Sequence, residues 1–387
     1  MITLATAEKA LKTYYLDVIA NSLNTQVNPL LAKFEQTEAD VSGKEIRKTV
    51  FSGVNGGFGA GAEDGVLPTA GNQDYVQLTM TLKNLFGTLE ISDKAVRAGN
   101  SNGAVVNLLE AEMQNLIDCA RFNFGRMLYG NGTGIVAKAT AVSGNTITVD
   151  DVKYLMEGMI VDVIGADDDT ALVTARRVVS VDRANKKITL GGATITENTV
   201  SSGDYITVQN SYLREIGGLG LIFGSGSTLY GVSRNTYSWL KPKTYTSTAV
   251  SGAVIQKAID YVDDMTGMQS DFIVCSAGVK RAYINYLQTN SCNVEFSTLA
   301  NGYKAINYGG IPLVSDRFCP DGTMYVLHTP DFKIYQLGDW DWIHDDGGRV
   351  LHQVPGKPVY SATICKYAEL LCSRPAAQAC ISGITEV

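Results

Sequence analysis

The chain has 387 residues, 45% hydrophobic and 18% charged, with a formal net charge of −7; this length buries a real core across two or three domains, and this balance excludes a broadly disordered chain. No basic block marks a nucleic-acid groove, so any DNA contact is weak and non-specific, and no apolar run of about 18 residues marks a membrane span. The seven cysteines are odd in number and include no C-x-x-C pair, and MITLATAEKALKTYY lacks the basic-then-apolar layout of a signal peptide, so reduced, buried thiols in a cytoplasmic folding environment are expected.

Residues 5–35 begin with a short amphipathic helix, with Leu11, Tyr15, Val18 and Ser22 on one face and Tyr14, Ile19 and Leu23 beside it, interrupted at Asn28-Pro29. The adjacent pair Tyr14 and Tyr15 has no evident local partner, which suits an arm that packs on another domain or another chain. Residues 41–90 read as two long strands, VSGKEIRKTVFSG and YVQLTMTLKNLFGTLEIS, joined by VNGGFGAGAEDGVLPTAGN. Seven glycines fall between positions 53 and 71, among them the isolated apolar residues Val54, Phe58, Val66 and Leu67 and the acids Glu63 and Asp64, with Phe51 just before. Such a tip cannot form a core, so the hairpin projects and requires something to lie on, most economically a neighbouring subunit.

The stretch 101–134 reads as one long amphipathic helix with Val105, Leu109, Met113, Leu116, Ala120, Phe124 and Met127 in steps of three and four, and with GNGTG (130–134) as its stop. About 27 residues at 1.5 Å each make a rod on the order of 40 Å, more than twice the usual helix. Residues 135–210 change to short β runs at 146–149, 159–164, 176–181, 187–190 and 205–208 between turns such as GADDDT and SSGD, the pattern of an inserted small β-barrel or sandwich. Residues 211–245 are turn-rich and extended. An α/β pattern follows from Ser251: a capped helix with Ile255, Ala258, Val262 and Met265 on one face, the strand DFIVCS, a second helix AGVKRAYINYLQ, and strands YKAINY, IPLVSD, MYVLHT and FKIYQL. The end reads as a long strand, a break at Arg374-Pro375 and a final strand.

Little in this chain carries recognisable chemistry. There is no G-x-x-x-x-G-K-[ST], H-E-x-x-H or G-x-S-x-G motif, GGFGAG (56–61) and GGLGLIFG (217–224) do not stand between a strand and a helix, and His328, His344 and His352 lack ligand spacing. Asp167, Asp168 and Asp169 lack the glycine and distal glutamate of a calcium loop and read as a solvated turn. The sharpest enzymatic candidate is DWDWIHDDGG (339–348), where Asp339, Asp341, Asp345 or Asp346 would act as acid and base on a sugar beside tryptophan; the competing reading is a surface loop with two anchoring indoles. No catalytic residue, cofactor or metal ligand is assigned.

Four segments in order, GGFGAGAEDGVLPTAG, LKNLFGTLEISDKAVRAG, FNFGRMLYGNGTG and LYGVSRNTYSWLKP, resemble the major capsid proteins of tailed bacteriophages. The resemblance implies an α+β, Hong Kong 97-like capsid fold: an N-terminal arm (1–40), an extended β-hairpin loop (41–82), a peripheral domain with a long spine helix (83–134 and 211–245), and an axial α/β domain (246–387) with a return strand to the peripheral domain. Residues 135–210 would be an extra domain that only some members carry. It further implies a structural protomer with no enzymatic activity, self-assembling as hexamers and pentamers into an icosahedral shell around phage DNA. The expected partners are other copies of the chain with scaffolding, portal and decoration proteins. The expected location is the virion, assembled in the host bacterial cytoplasm. No basic scaffold-like or protease-cleaved extension precedes the arm in this sequence, so a separate scaffolding protein is the expectation if the chain is complete, and no motif matches the lysine–asparagine cross-link of some relatives. The expected assembly surface comprises Phe51, Val54, Phe58, Glu63, Asp64, Val66 and Leu67 of the hairpin and Tyr14 and Tyr15 of the arm. The alternatives are an encapsulin-type compartment and a carbohydrate-active enzyme or adhesin using the loop around Asp339 and Asp346.

Overall fold

In the computed structural model the described residues are 28–93, 104–196, 199–290, 296–298, 304–344 and 350–387. They divide into two compact units, residues 126–220 and the residues on either side of that stretch.

The first unit contains two large sheets. One is built on the 14-residue strand Val359–Cys372. Strand Lys83–Ser92 pairs with it antiparallel from Val359↔Ser92 to Ala368↔Lys83, and Phe332–Gln336 pairs antiparallel on the other side, with Glu35–Thr37 parallel beyond it. Period-two alternation places Leu85, Leu89 and Ile91 on the same buried face as Ala362, Ile364 and Ala368. Against this face lies the long helix, Ala104–Met127, about 36 Å at 1.5 Å per residue. A Cβ on Gly87 would sit 3.0 Å from both Leu116 Cδ1 and Ile364 Cγ2, so the missing side chain lets helix and sheet meet there. Met113, Phe124 and Met127 are buried as the periodicity predicts. Ile117 and Phe122 are buried too, because the end of the helix is covered on more than one side: Phe122 and Phe318 meet edge-on at 5.3 Å. The start of the expected helix, residues 101–103, lies outside the described residues.

The second sheet has seven strands in the order Lys243–Thr246, Ala379–Ser382, Met324–Leu327, Phe272–Cys275, Ile311–Ser315, Lys304–Tyr308 and Phe296–Thr298. Helices Gly252–Thr266 and Ala277–Thr289 bury Ile255, Ala258, Val262, Val279 and Tyr283 in one cluster with Ile273, Val326 and Ile381 of this sheet. Ser251 and Ser276 cap the two helices by accepting the backbone N–H groups of Val254 and Val279. Met265, expected on the buried face, is 58% exposed, whereas Ile259, next to Ala258 and between Ile255 and Val262, joins the buried stripe.

The hairpin segment differs from the sequence reading in both strands: the expected first strand turns back on itself, Val41–Ser42 pairing antiparallel with Glu45–Phe51. The expected second strand is two strands: Tyr75–Thr81, paired with Glu45–Phe51, and Lys83–Ser92, paired with Val359–Cys372. The inward residues change parity between them, from Val76, Leu78 and Met80 to Leu85, Leu89 and Ile91, so one straight strand could not bury both sets. Leu82 marks the change, its N–H donating to Lys44 C=O.

The second unit is a closed six-stranded barrel, which decides between barrel and sandwich: Lys187–Leu190, Thr146–Val149, Ile135–Ser143, Tyr205–Val208, Ile160–Ile164 and Ala171–Asp182, which returns to the first. Ile147, Val149, Val161, Val163, Val178, Ile188, Leu190 and Ile206 fill it. Strand Ile135–Ser143 is an addition to the sequence reading. Its neighbour in the barrel is the last strand, Tyr205–Val208, with Ile206 opposite Ala137, so the chain enters and leaves side by side. Below the barrel, buried Arg126 holds buried Glu215 in a two-pronged ion pair at 2.9 and 2.5 Å. Gly134, at φ 78°, crosses so close to Ser211 C=O that a Cβ would stand 2.4 Å from the oxygen.

Candidate assembly surface

Residues 52–74 extend beyond the paired part of the hairpin without regular secondary structure. Asn55 Oδ1 accepts the Gly57 N–H at 2.9 Å, and a Cβ on Gly71 would meet both Asn55 Oδ1 and the Gly56 nitrogen at 2.7 Å. The two limbs thus run against each other where side chains would keep them apart. At the far end a turn closed by Gly65 N–H on Ala62 C=O carries Glu63 and Asp64, both exposed, at its corner. The apolar residues have little cover: Val54 is 89%, Phe58 97%, Val66 96% and Leu67 86% exposed. Phe51 and Tyr75, a tilted pair with ring centroids 5.3 Å apart, continue this exposed apolar character down the stalk. Together these seven sequence-selected residues occupy one segment. Tyr14 and Tyr15 lie outside the described residues.

The competing candidate, the loop after Gly338, is anchored by its indoles: Trp340 and Trp342 are both buried. Asp339 Oδ1 accepts a hydrogen bond from Lys366 Nζ at 2.7 Å and from its neighbour's backbone, Trp340 N–H, at 2.8 Å. Lys366 also donates to Gln36 Oε1 at 3.1 Å and lies over the Phe124 and Trp340 rings. Burial pulls its ammonium below the usual lysine range, and the Asp339 charge opposes that pull. Asp339 is therefore an ion-pair partner of a buried lysine. Asp341 lies 3.5 Å from His344, and Asp345 and Asp346 are outside the described residues. His328 is buried against Asp331 at 3.1 Å, and the imidazole of His352 is bonded to Ile343 C=O. Burial raises the Cys275 and Cys380 thiols to about 12, far from thiolate chemistry. Asp168 is tied to Thr170 and Asp169 to Tyr212, which makes the triple-aspartate segment a braced turn. Among the described residues no group of three or more His, Cys, Asp or Glu side chains is placed to hold a metal ion, and no helix is long and apolar enough to cross a membrane.

Sequence reasoning passed over Lys366. Its signal was visible, a lone cation at an inward position of the alternating run ATICKYAELL.

No protein-family model and no curated protein sequence matches the chain. Solved structures do. A chain of the cyanophage A-1(L) capsid asymmetric unit aligns over 97% of this chain and 93% of its own with a TM-score of 0.56 at 13% identity. The SrpI encapsulin complex of Synechococcus elongatus aligns over 92% and 88% with a TM-score of 0.49 at 10% identity, and the capsid of a native GTA particle over 95% and 91% with 0.47 at 11%. The chain has the fold of the cyanophage capsid chain, an α+β, Hong Kong 97-like capsid fold with an inserted β-barrel.

Proposed function

We propose that this protein is the major capsid protein of a tailed bacteriophage, a non-enzymatic protomer that self-assembles into the icosahedral shell enclosing the genome. The observation that carries the reading is the exposed apolar hairpin tip, Val54, Phe58, Val66 and Leu67, on a chain whose fold is that of a capsid protein over 97% of its length. Covering one phenylalanine or leucine side chain contributes roughly 1.5–3 kcal/mol, and a lone protomer forfeits that at each tip position. In a lattice every copy both offers a tip and covers one. Obligate interfaces on the order of 2,000–5,000 Å² are then reached by repetition of modest contacts.

In this reading residues 1–40 are the arm, 41–82 the extended loop, 83–134 with 211–245 the peripheral domain, 135–210 the inserted domain, and 246–387 the axial domain with a strand returning to the peripheral one. Phe51, Val54, Phe58, Glu63, Asp64, Val66, Leu67, Tyr14 and Tyr15 form the assembly surface. Hexamers and pentamers of the chain, with scaffolding, portal and decoration proteins, assemble in the host cytoplasm around DNA held by weak contact, in keeping with a net charge of −7. Electron microscopy of purified protein tests this. Closed icosahedral particles that package DNA support it; particles filled with protein cargo favour a compartment, and discrete monomers that turn over glycans favour an enzyme.

A further inference from the structure

The two large sheets of the first unit are joined by two short crossovers. One passes from Met324–Leu327 through the turn Thr329–Asp331 into Phe332–Gln336; the other passes from Val359–Cys372 through the turn Pro375–Ala377 into Ala379–Ser382. Both are gathered on one buried carboxylate. Asp331 Oδ1 accepts from Arg374 Nε at 2.7 Å and Ser373 Oγ at 3.4 Å, and Oδ2 accepts from Gln378 Nε2 at 3.2 Å and faces His328 Nδ1 at 3.1 Å. The backbone is drawn into the same knot: Ser373 N–H donates to Asp331 C=O at 2.9 Å, and His328 N–H to the fully buried Gln378 side chain at 2.9 Å. Asp271, just before strand Phe272–Cys275, holds the first crossover from the other direction through the Thr329 N–H and hydroxyl.

We propose that Asp331 is a latch: it fixes the setting of the six-stranded sheet against the seven-stranded sheet, each of which is a separate cooperative unit that turns about these two crossovers when the carboxylate is released. The chemistry of the join argues for this. The seven-stranded sheet has its own apolar cluster and the six-stranded sheet is covered by the long helix, with Phe318 against Phe122 as an apolar contact between the two sides. The crossovers themselves meet through directional, charge-assisted bonds converging on one group, which hold one geometry and fail together when that group is removed. Both crossovers are short 3-10 turns, Thr329–Asp331 and Pro375–Ala377, element-terminal segments of the kind that absorb hinge motion once the bonds on Asp331 are released.

The test is amide hydrogen exchange on the full chain, comparing wild type with Asp331→Asn, which keeps the shape and removes the charge. The latch predicts exchange faster by about tenfold to a hundredfold, the loss of one or two charge-assisted hydrogen bonds, at His328 and Ser373 and in the two crossover turns. Val274, Val326, Ile364 and Leu370, in the middles of the two sheets, should keep their wild-type protection. Arg374→Met, altering a half-exposed partner, should loosen the same two segments less, and it stands in if Asp331→Asn does not fold. Unchanged exchange in the crossovers overturns the proposal, as does an equal loss across both sheets, which would make Asp331 an ordinary member of one undivided core. The readout does not depend on shell assembly, so it stands or falls apart from the proposed function.

Discussion

Lys366 and Asp339 form an ion pair 2.7 Å long in which the lysine side chain has no solvent exposure and the carboxylate retains some. The lysine sits on the central strand of a sheet, and its other partners, Gln36 and the rings of Phe124 and Trp340, belong to three further segments. Its burial holds the folded-state pKa below that of the unfolded chain. Between those two values the unfolded chain binds the extra proton, so the contribution of this group to stability rises as pH increases through that window and falls as pH drops toward the folded value. Wild type should therefore gain thermal stability relative to Lys366→Met as pH is raised from neutral toward 10.5, the ordinary lysine value. A flat difference between the two melting curves across that range would contradict this.

Asp339→Asn removes the carboxylate bonded to that ammonium and leaves it buried, which should cost about 3–5 kcal/mol. Asp341→Asn, at an exposed position, should change stability by less than about 0.5 kcal/mol. Denaturant titration separates the two. If the loop is structural, particles should still form from Asp341→Asn, and a hydrolytic activity abolished by it would overturn the non-enzymatic reading.

The hairpin tip invites a test in which folding and assembly part company. Because Val54, Phe58, Val66 and Leu67 are almost wholly exposed, replacing residues 55–71 with a short Gly-Ser link should leave the melting temperature of the free protomer unchanged. The same protein should fail to close particles at concentrations where wild type does, and Phe58→Ser alone should raise the critical concentration. Normal particles from the replacement would mean that the tip clasps nothing.

For the barrel unit, Arg126→Met strands Glu215 without its partner and should cost about 3–5 kcal/mol, while the double variant Arg126→Met with Glu215→Leu should recover most of it. Residues 126–220 expressed alone should give β-type circular dichroism and a single cooperative melt. A disordered spectrum would show that the barrel depends on the rest of the chain.

Gly125 reports on packing at the end of the long helix. A Cβ there would lie 2.5 Å from Phe318 Cε2, so Gly125→Ala should destabilise by about 1–3 kcal/mol despite its better helix propensity. Adding Phe318→Leu should relieve part of that loss, as calorimetry of the two variants would reveal.

What could be read from the sequence tracks how local the cause is. The long helix, the capped helix after Ser251 and the strand ending at Cys372 announce themselves through their own periodicity and punctuation, and all stand where the residues place them. The break at Leu82 was also written in the residues, as a parity slip between Met80 and Leu85, but it means something only once two different sheets receive the two halves. Met265 followed the apolar stripe of its helix yet faces outward, because the extent of the covered face is set by the sheet beneath it. The tip residues stood out as apolar side chains among glycines. The knot at Asp331 did not, since its members come from positions 328 to 378 and no spacing rule joins them.

The adjacency of the barrel's first and last strands has an evolutionary and practical corollary. Ala137 and Ile206 lie opposite one another, so the host chain experiences the whole intervening stretch as a closure between neighbouring points, whatever its length. Loop-closure entropy grows only with the logarithm of length, so a domain of any size whose ends meet is tolerated at this position on nearly equal terms. An epitope, an enzyme or a ligand-binding domain with neighbouring termini should therefore be accepted at this position in place of the barrel.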